Sequence, residues 1–229
     1  MSDTADLLRA IAALSWALLA FVAVVLLFRI LRSQRGPLTK LGFGPGGVTM
    51  EWAEAKLDEA VSKSDDETEK RAIGNVAKRS VIRRLQAHAD LLAGARILWV
   101  DDHPENNLPL IELLREFKVT IDTARSNFEA FALLRKSRYD VIISDVKRDN
   151  EGPGNDLKGV EFAQTVFADW GQQVLLFTLR FDPARLPDVS DEERLRLVKE
   201  VERTVFARTN GADEGLHYIL DILERVKAA

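Results

Sequence analysis

The chain has 229 residues, 46% of them hydrophobic and 30% charged, with a formal net charge of -4. That length suits one domain of ordinary size with accessory segments, and the charge provides no global basic field to attract nucleic acid or acidic lipid. There is no cysteine and there are three scattered histidines, which excludes disulfides, thiolate ligands and cysteine nucleophiles and argues against a multi-histidine metal site.

In chain order, the first feature is AIAALSWALLAFVAVVLLF, Ala10 to Phe28, without a charged residue. As a helix it would extend about 28 Å at ~1.5 Å per residue, against a hydrocarbon core of about 30 Å. Arg29, Arg32, Arg35 and Lys40 follow it, whereas Asp3 and Asp6 precede it with only Arg9 as a nearby cation. Apolarity on every face argues against a buried soluble helix. A cleaved signal peptide would need a basic start, a shorter apolar core and a small-residue cleavage site, and FRILRSQRG has no such site. Residues 1–31 therefore read as a single-pass anchor in the inner (cytoplasmic) membrane, with the C-terminal side in the cytoplasm by the positive-inside rule.

Residues 32–52 read as a juxtamembrane hairpin or linker, with Leu41 and Phe43, then Val48, Met50 and Trp52, on either side of a Pro/Gly turn. Gly42, Gly44 and Gly47 have the spacing G-x-G-x-x-G. No strand leads into it, a proline lies inside it and no Lys-Ser/Thr pair follows, so it signals a turn and no nucleotide. Residues 53–94 are helix-forming and highly charged, with an apolar stripe at Val81, Ile82, Leu85, Leu91 and Leu92 too short for a coiled coil. They predict a solvated helical stalk, which leaves room for helix pairing in a homodimer.

After Gly94 strands and helices alternate. RILWV, VTID, YDVIIS, QQVLLFT and TVFAR read as strands. Helices are expected over ENNLPLIELLREF, from the Ser126/Glu129 capping box through Ser137, over GVEFAQTVFADW, and from Ser190 with Glu193 through about Arg203. Leu216, Ile219, Leu220, Leu223 and Val226 mark a last amphipathic helix. Trp52 and Trp170 read as packing residues. The near-continuous apolar strands predict an α/β fold over 95–229, a doubly wound five-stranded parallel sheet preceded by the membrane helix and the stalk.

In such a sheet, ligands bind beyond the carboxyl ends of the strands where strand order reverses. With the order 2-1-3-4-5, Asp101 and Asp102 sit beside Asp145, with Thr178 one strand further on. Three carboxylates at one point repel each other and favour protonation unless a cation intervenes. An all-oxygen, partly hydrated site is what Mg2+ prefers. The competing reading of Asp101 and Asp102 is a charge cluster complementing a helix N-terminus. For Asp145 and Thr178 it is an ordinary residue at a strand end, and for His103 a loop residue.

These residues resemble the receiver domain of bacterial response regulators over about 95–229. ILWVDDH is similar to that family's first strand with its acidic pair, DVIISDV to its third strand with the phospho-accepting aspartate, DLKGVEF to its M-D-G-L-E-F segment, and VLLFT to its fourth strand with Thr or Ser. The resemblance implies that Asp145 attacks a phosphohistidine donor to form an acyl phosphate. Asp101 and Asp102 would bind Mg2+ with help from the backbone carbonyl near Lys147, and Thr178 would donate its hydroxyl to a phosphoryl oxygen. It also implies a histidine kinase or other phosphodonor protein and a downstream protein partner.

The chain departs from the family in its relay half. The Lys-Pro pair after the fifth strand is absent; Arg208 and Thr209 stand at a matching distance from the last helix, and arginine does not copy lysine geometry. An alternative alignment on GADE leaves no lysine either. KRDNEGPGND replaces a short turn, so that Lys147, Arg148 and Asp149 can alter access, and Val205, with Phe206 adjacent, occupies the aromatic position of the fifth strand. The expectation is a signalling module rather than a turnover enzyme, with protein–protein output and no nucleic acid. Its rivals are a pseudo-receiver that binds without taking phosphate, and a metal-dependent phosphoesterase, which lacks a D-x-D pair and a histidine cluster.

Overall fold

The computed structural model describes residues 49–62, 74–148, 157–178 and 190–228. The apolar stretch 10–28 and the first arm of the expected hairpin lie outside them. Among the described residues, no helix is long and apolar enough to cross a membrane.

The elements in order are α1 (Met50–Ser62), α2 (Asn75–Ala87), α3 (Ala89–Leu92), β1 (Arg96–Val100), α4 (Leu108–Glu116), β2 (Thr120–Ala124), α5 (Asn127–Leu134), β3 (Val141–Ser144), α6 (Lys158–Trp170), β4 (Val174–Phe177), α7 (Asp191–Thr204), β5 (Val205–Thr209) and α8 (Ala212–Ala228). The five strands form one parallel sheet in the order β2-β1-β3-β4-β5. This is the expected α/β architecture, and the chain reverses direction across the sheet between β1 and β3.

Its cause lies in the strands. Alternate residues of a strand point to opposite faces, so a run such as Ile97–Val100 buries both. Ile97, Trp99, Ile143 and Leu175 join one core with α4 and α8, whereas Leu98, Val100, Ile142 and Leu176 join another with α5, α6 and α7. Helix starts follow the capping signals. Ser190 and Glu193 form the complete box, and the Ser126 hydroxyl accepts from the Glu129 N–H while the Glu129 carboxylate accepts from Arg125 N–H instead of Ser126. The last apolar stripe differs in one place: Val226 is exposed and Ile222 is buried.

Two expectations for the N-terminal part are corrected. Met50 and Trp52 lie in the first turn of α1 rather than on a hairpin arm. The described parts of the segment expected as a solvated stalk, α1, α2 and α3, form a helical layer on the α4–α8 face. Ala53 and Leu57 of α1, Val81, Ile82 and Leu85 of α2, and Leu92 of α3 have 0% exposure and share a core with α4 and α8. The reason is a surplus of apolar surface on α4, whose buried Leu110, Ile111, Leu113 and Leu114 cover about 160° of the helix at ~100° per residue. That arc is wide enough to meet the sheet on one side and α1 on the other. Charged residues form the rim: Lys56 bonds Glu112 at 2.5 Å, Lys78 bonds Asp58, and Arg84 bonds Asp221 and Glu224 at 2.5 and 3.0 Å. Half-exposed pairs of this kind contribute little each, so the apolar seam holds the layer.

Leu57→Ala and Leu85→Ala are each expected to lower the unfolding free energy of the full chain by about 2–4 kcal/mol. Urea denaturation followed by circular dichroism checks this, and a layer that packed on nothing would leave the midpoint unchanged.

Candidate metal centre

Val100 and Ser144 are paired in the β1–β3 register. The ladder runs one residue further, with Asp145 N–H donating to the Val100 carbonyl and Asp101 N–H to the Ala124 carbonyl, both at 2.9 Å. The first acid after each strand therefore emerges at the same edge. One carboxylate oxygen each from Asp101, Asp102 and Asp145 lies within 4.8 Å of the other two. Asp101 and Asp102 are buried and Asp145 half-buried.

Local bonds fix these side chains. Asp101 Oδ1 accepts from His103 N–H at 2.8 Å, and Oδ2 accepts from Asn107 Nδ2 at 2.6 Å. Asn107 is the N-cap of α4, yet its side chain makes no capping bond; it turns to Asp101 instead. Asp145 Oδ1 accepts from the next N–H, that of Val146, at 2.6 Å.

Behind Asp145 the backbone is equally constrained. Gly159 N–H, in the first turn of α6, donates to the Val146 carbonyl at 2.9 Å. A Cβ at Gly159 would overlap the Asp145 carbonyl oxygen and come within 2.7 Å of Val146 Cα, so any side chain there displaces the segment carrying the acid. Ser144 Oγ donates to the Asp145 carbonyl at 2.8 Å. Arg148, fully buried, donates to Ser144 Oγ at 2.5 Å, to the Asp145 carbonyl at 3.2 Å and to Asn127 Oδ1 at 2.5 Å.

Proton affinities reflect the crowding. Burial, reinforced by the Asp101 and Asp102 charges, pushes Asp145 up to about 7, against the opposing pull of the Val146 N–H and the Arg148 charge. Burial also raises Asp101, with its bonds from His103 and Asn107 opposing. The donor set is three hard carboxylate oxygens without nitrogen or sulfur, which fits a hard divalent cation such as Mg2+.

The remaining expected residues fall at the same edge or near it. Thr178 follows β4 directly, is half-buried, and donates its N–H to the Thr209 carbonyl at 2.8 Å. Arg208 is exposed within β5, in register with Leu176, and the strand ends at Thr209. Thr209 Oγ1 donates to Glu214 Oε2 at 2.5 Å. Phe206, beside Val205, meets Tyr218 edge-on at 6.3 Å and lies under Arg225. Lys147 is exposed; Asp149 lies outside the described residues. Asn107, Asn127 and Ser144 are site residues that sequence reasoning missed. Only Ser144 had a signal, as the polar residue ending an otherwise apolar strand.

No family model and no curated protein matches the chain. Among solved structures, it is similar to the signal receiver domain of an HD domain-containing protein from Pseudomonas fluorescens Pf-5, at 18% identity and a TM-score of 0.47, covering 59% of this chain and 99% of that one. It is also similar to a response regulator of Thermotoga maritima in complex with Mg2+-BeF, at 24% identity and a TM-score of 0.42, covering 56% and 98%. A third is the chemotaxis response regulator CheY4 of Vibrio cholerae, at 26% identity and a TM-score of 0.39, covering 58% and 99%.

The Asp145 carboxyl has an ordinary value of 3.8 and a folded value of about 7, so the folded state holds this proton more tightly than the unfolded chain. The stability it contributes is complete below about pH 4 and is lost as pH rises through about 7. For metal-free protein, the urea midpoint of wild type relative to Asp145→Asn is expected to fall between about pH 4 and pH 7. A constant difference across that range would contradict the burial of Asp145.

Proposed function

We propose that the chain is a membrane-anchored signal receiver in which Asp145 accepts a phosphoryl group from a phosphohistidine donor protein. The observation that carries this reading is the meeting of three acids from two strand ends where the sheet order reverses. Asp101, Asp102 and Asp145 would hold the cation. When bound, a divalent ion supplies positive charge against the equatorial phosphoryl oxygens and aligns the transfer.

The chain's own groups define the rest. Asp145 attacks as the carboxylate, so the proton that burial favours leaves first. Its oxygen bonds phosphorus as the bond from phosphorus to the donor imidazole nitrogen breaks, leaving an acyl phosphate and a neutral histidine once that nitrogen is protonated. His103 N–H and Asn107 keep Asp101 oriented. Thr178, on the adjoining strand at the same edge, offers its hydroxyl to a phosphoryl oxygen. Arg208 is the cation of β5 in place of the expected lysine. Phosphorylation then changes contacts with a downstream protein, and the anchor at Ala10–Phe28 keeps the domain at the cytoplasmic face of the membrane.

One observation favours a second reading. Arg208, standing where a lysine would pair a phosphoryl group, is exposed within β5, and the strand ends on Thr209 bonded to Glu214. A pseudo-receiver that binds a partner without taking phosphate fits that end of the site.

Incubation with Mg2+ and a small acyl phosphate separates the two. The expected result is a mass gain of one phosphoryl group, abolished by chelation and by Asp145→Asn. Mg2+ binding without modification would transfer the conclusion to the pseudo-receiver, and sustained phosphate release from simple esters surviving Asp145→Asn would replace both.

For the anchor, the protein is expected to stay with membranes through an alkaline carbonate wash. Protease added to intact spheroplasts should leave residues 95–229 uncut. Release by the wash, or cleavage from outside, would remove the anchor or invert it.

A further inference from the structure

Arg148 differs from the chain's other cations near this edge. It has 0% exposure, whereas Lys147 and Arg208 are exposed. Its guanidinium is tied to three elements: Ser144 and the Asp145 carbonyl at the end of β3, Asn127 in the first turn of α5, and the face of Phe162 in α6 at 5.7 Å from the ring centroid. Asn127 is itself held by donating Nδ2 to the Lys158 carbonyl at 3.2 Å. The charge is therefore fixed in place and shielded from solvent ions, unlike a surface arginine. Its charge opposes the protonation of the Asp145 carboxyl.

We propose that Arg148 is the resident countercharge of the acidic site, a fixed cation that holds the three-carboxylate cluster together when no metal is bound and weakens the binding of a divalent cation. The inference rests on the metal reading given above. Three ionised carboxylates repel each other in a site largely removed from water, and a neighbouring guanidinium offsets part of that repulsion. The same charge repels an incoming cation. With all three acids ionised and Arg148 counted, the cluster presents two net negative charges, which one divalent ion neutralises. Arg148 is thus a positioning and tuning residue; its named contacts are to the carbonyl, hydroxyl and amide behind the acids.

A purely structural brace and a countercharge predict opposite signs. Mg2+ binding to the full chain is measured by isothermal titration calorimetry, alongside thermal melting without metal, for wild type, Arg148→Met, Arg148→Lys and Asn127→Asp. Asn127→Asp retains the arginine and sets a carboxylate against the guanidinium nitrogen that Asn127 bonds, so it remains informative if Arg148→Met fails to fold. The countercharge predicts that Arg148→Met melts lower without metal and binds Mg2+ about tenfold or more tightly, as expected for removing a unit charge a few ångströms from a divalent ion. Asn127→Asp should also bind more tightly, and Arg148→Lys should stay near wild type. Weaker binding in Arg148→Met, or unchanged binding in Asn127→Asp, would overturn the countercharge and leave the metal site standing. No Mg2+ binding in wild type or any variant would overturn the metal reading and this inference with it.

Discussion

The parallel ladder between β1 and β3 decides where the acids go. Side chains alternate with a period of two, so a slip of one residue in this pairing would send Asp101 or Asp145 to the opposite face. Both strands are buried on each side, with Ile97, Trp99 and Ile143 in one core and Leu98, Val100 and Ile142 in the other. The bonds from Asp145 N–H to Val100 and from Asp101 N–H to Ala124 extend that register past the strands. The site is a consequence of core packing before it is a consequence of charge.

That placement creates an electrostatic conflict, and the surrounding residues manage it. Three acids are brought within 4.8 Å while the fold withdraws them from water. Asp101 is held by two donors from the loop leading into α4, and Asp145 retains its proton up to about 7. Gly159 allows α6 to approach the Asp145 carbonyl closely, and Arg148 occupies the space behind it. A cluster of three carboxylates at one edge must tolerate its own repulsion without unfolding. A rigid backbone with a buried guanidinium behind it meets that requirement.

The acids and the five strands were legible in the sequence because each rests on a local signal, an apolar run ending in a polar residue; the strand order was a premise that no local signal carries, and the structure supplies it. Asp101, Asp102 and Asp145, and Thr178 at the end of its own apolar run, lie at the carboxyl edge of the sheet as that pattern places them. The packing of α1 and α2 was not legible. A helix rich in Glu, Lys and Arg with a short apolar stripe looks the same whether the stripe meets water or another helix, and the surplus on α4 that needs covering is visible only once the sheet has claimed its share. Arg148 was hidden for a related reason. Nothing in VKRD distinguishes a buried arginine from an exposed lysine beside it, since burial is set by Phe162 and Asn127 from other elements.

The helical layer and the acidic edge belong to one mechanical unit. α1 packs on α4 through Ala53 and Leu57 and through the Lys56–Glu112 pair. The N-cap of α4 is Asn107, whose amide orients Asp101. A nine-residue helix thus has the N-terminal layer on one flank and a site ligand at its head. Packed helices transmit displacement because their interiors are as dense as organic crystals and do not absorb it. The segment beginning at Thr49 is therefore seated on the helix whose N-cap residue also bonds Asp101.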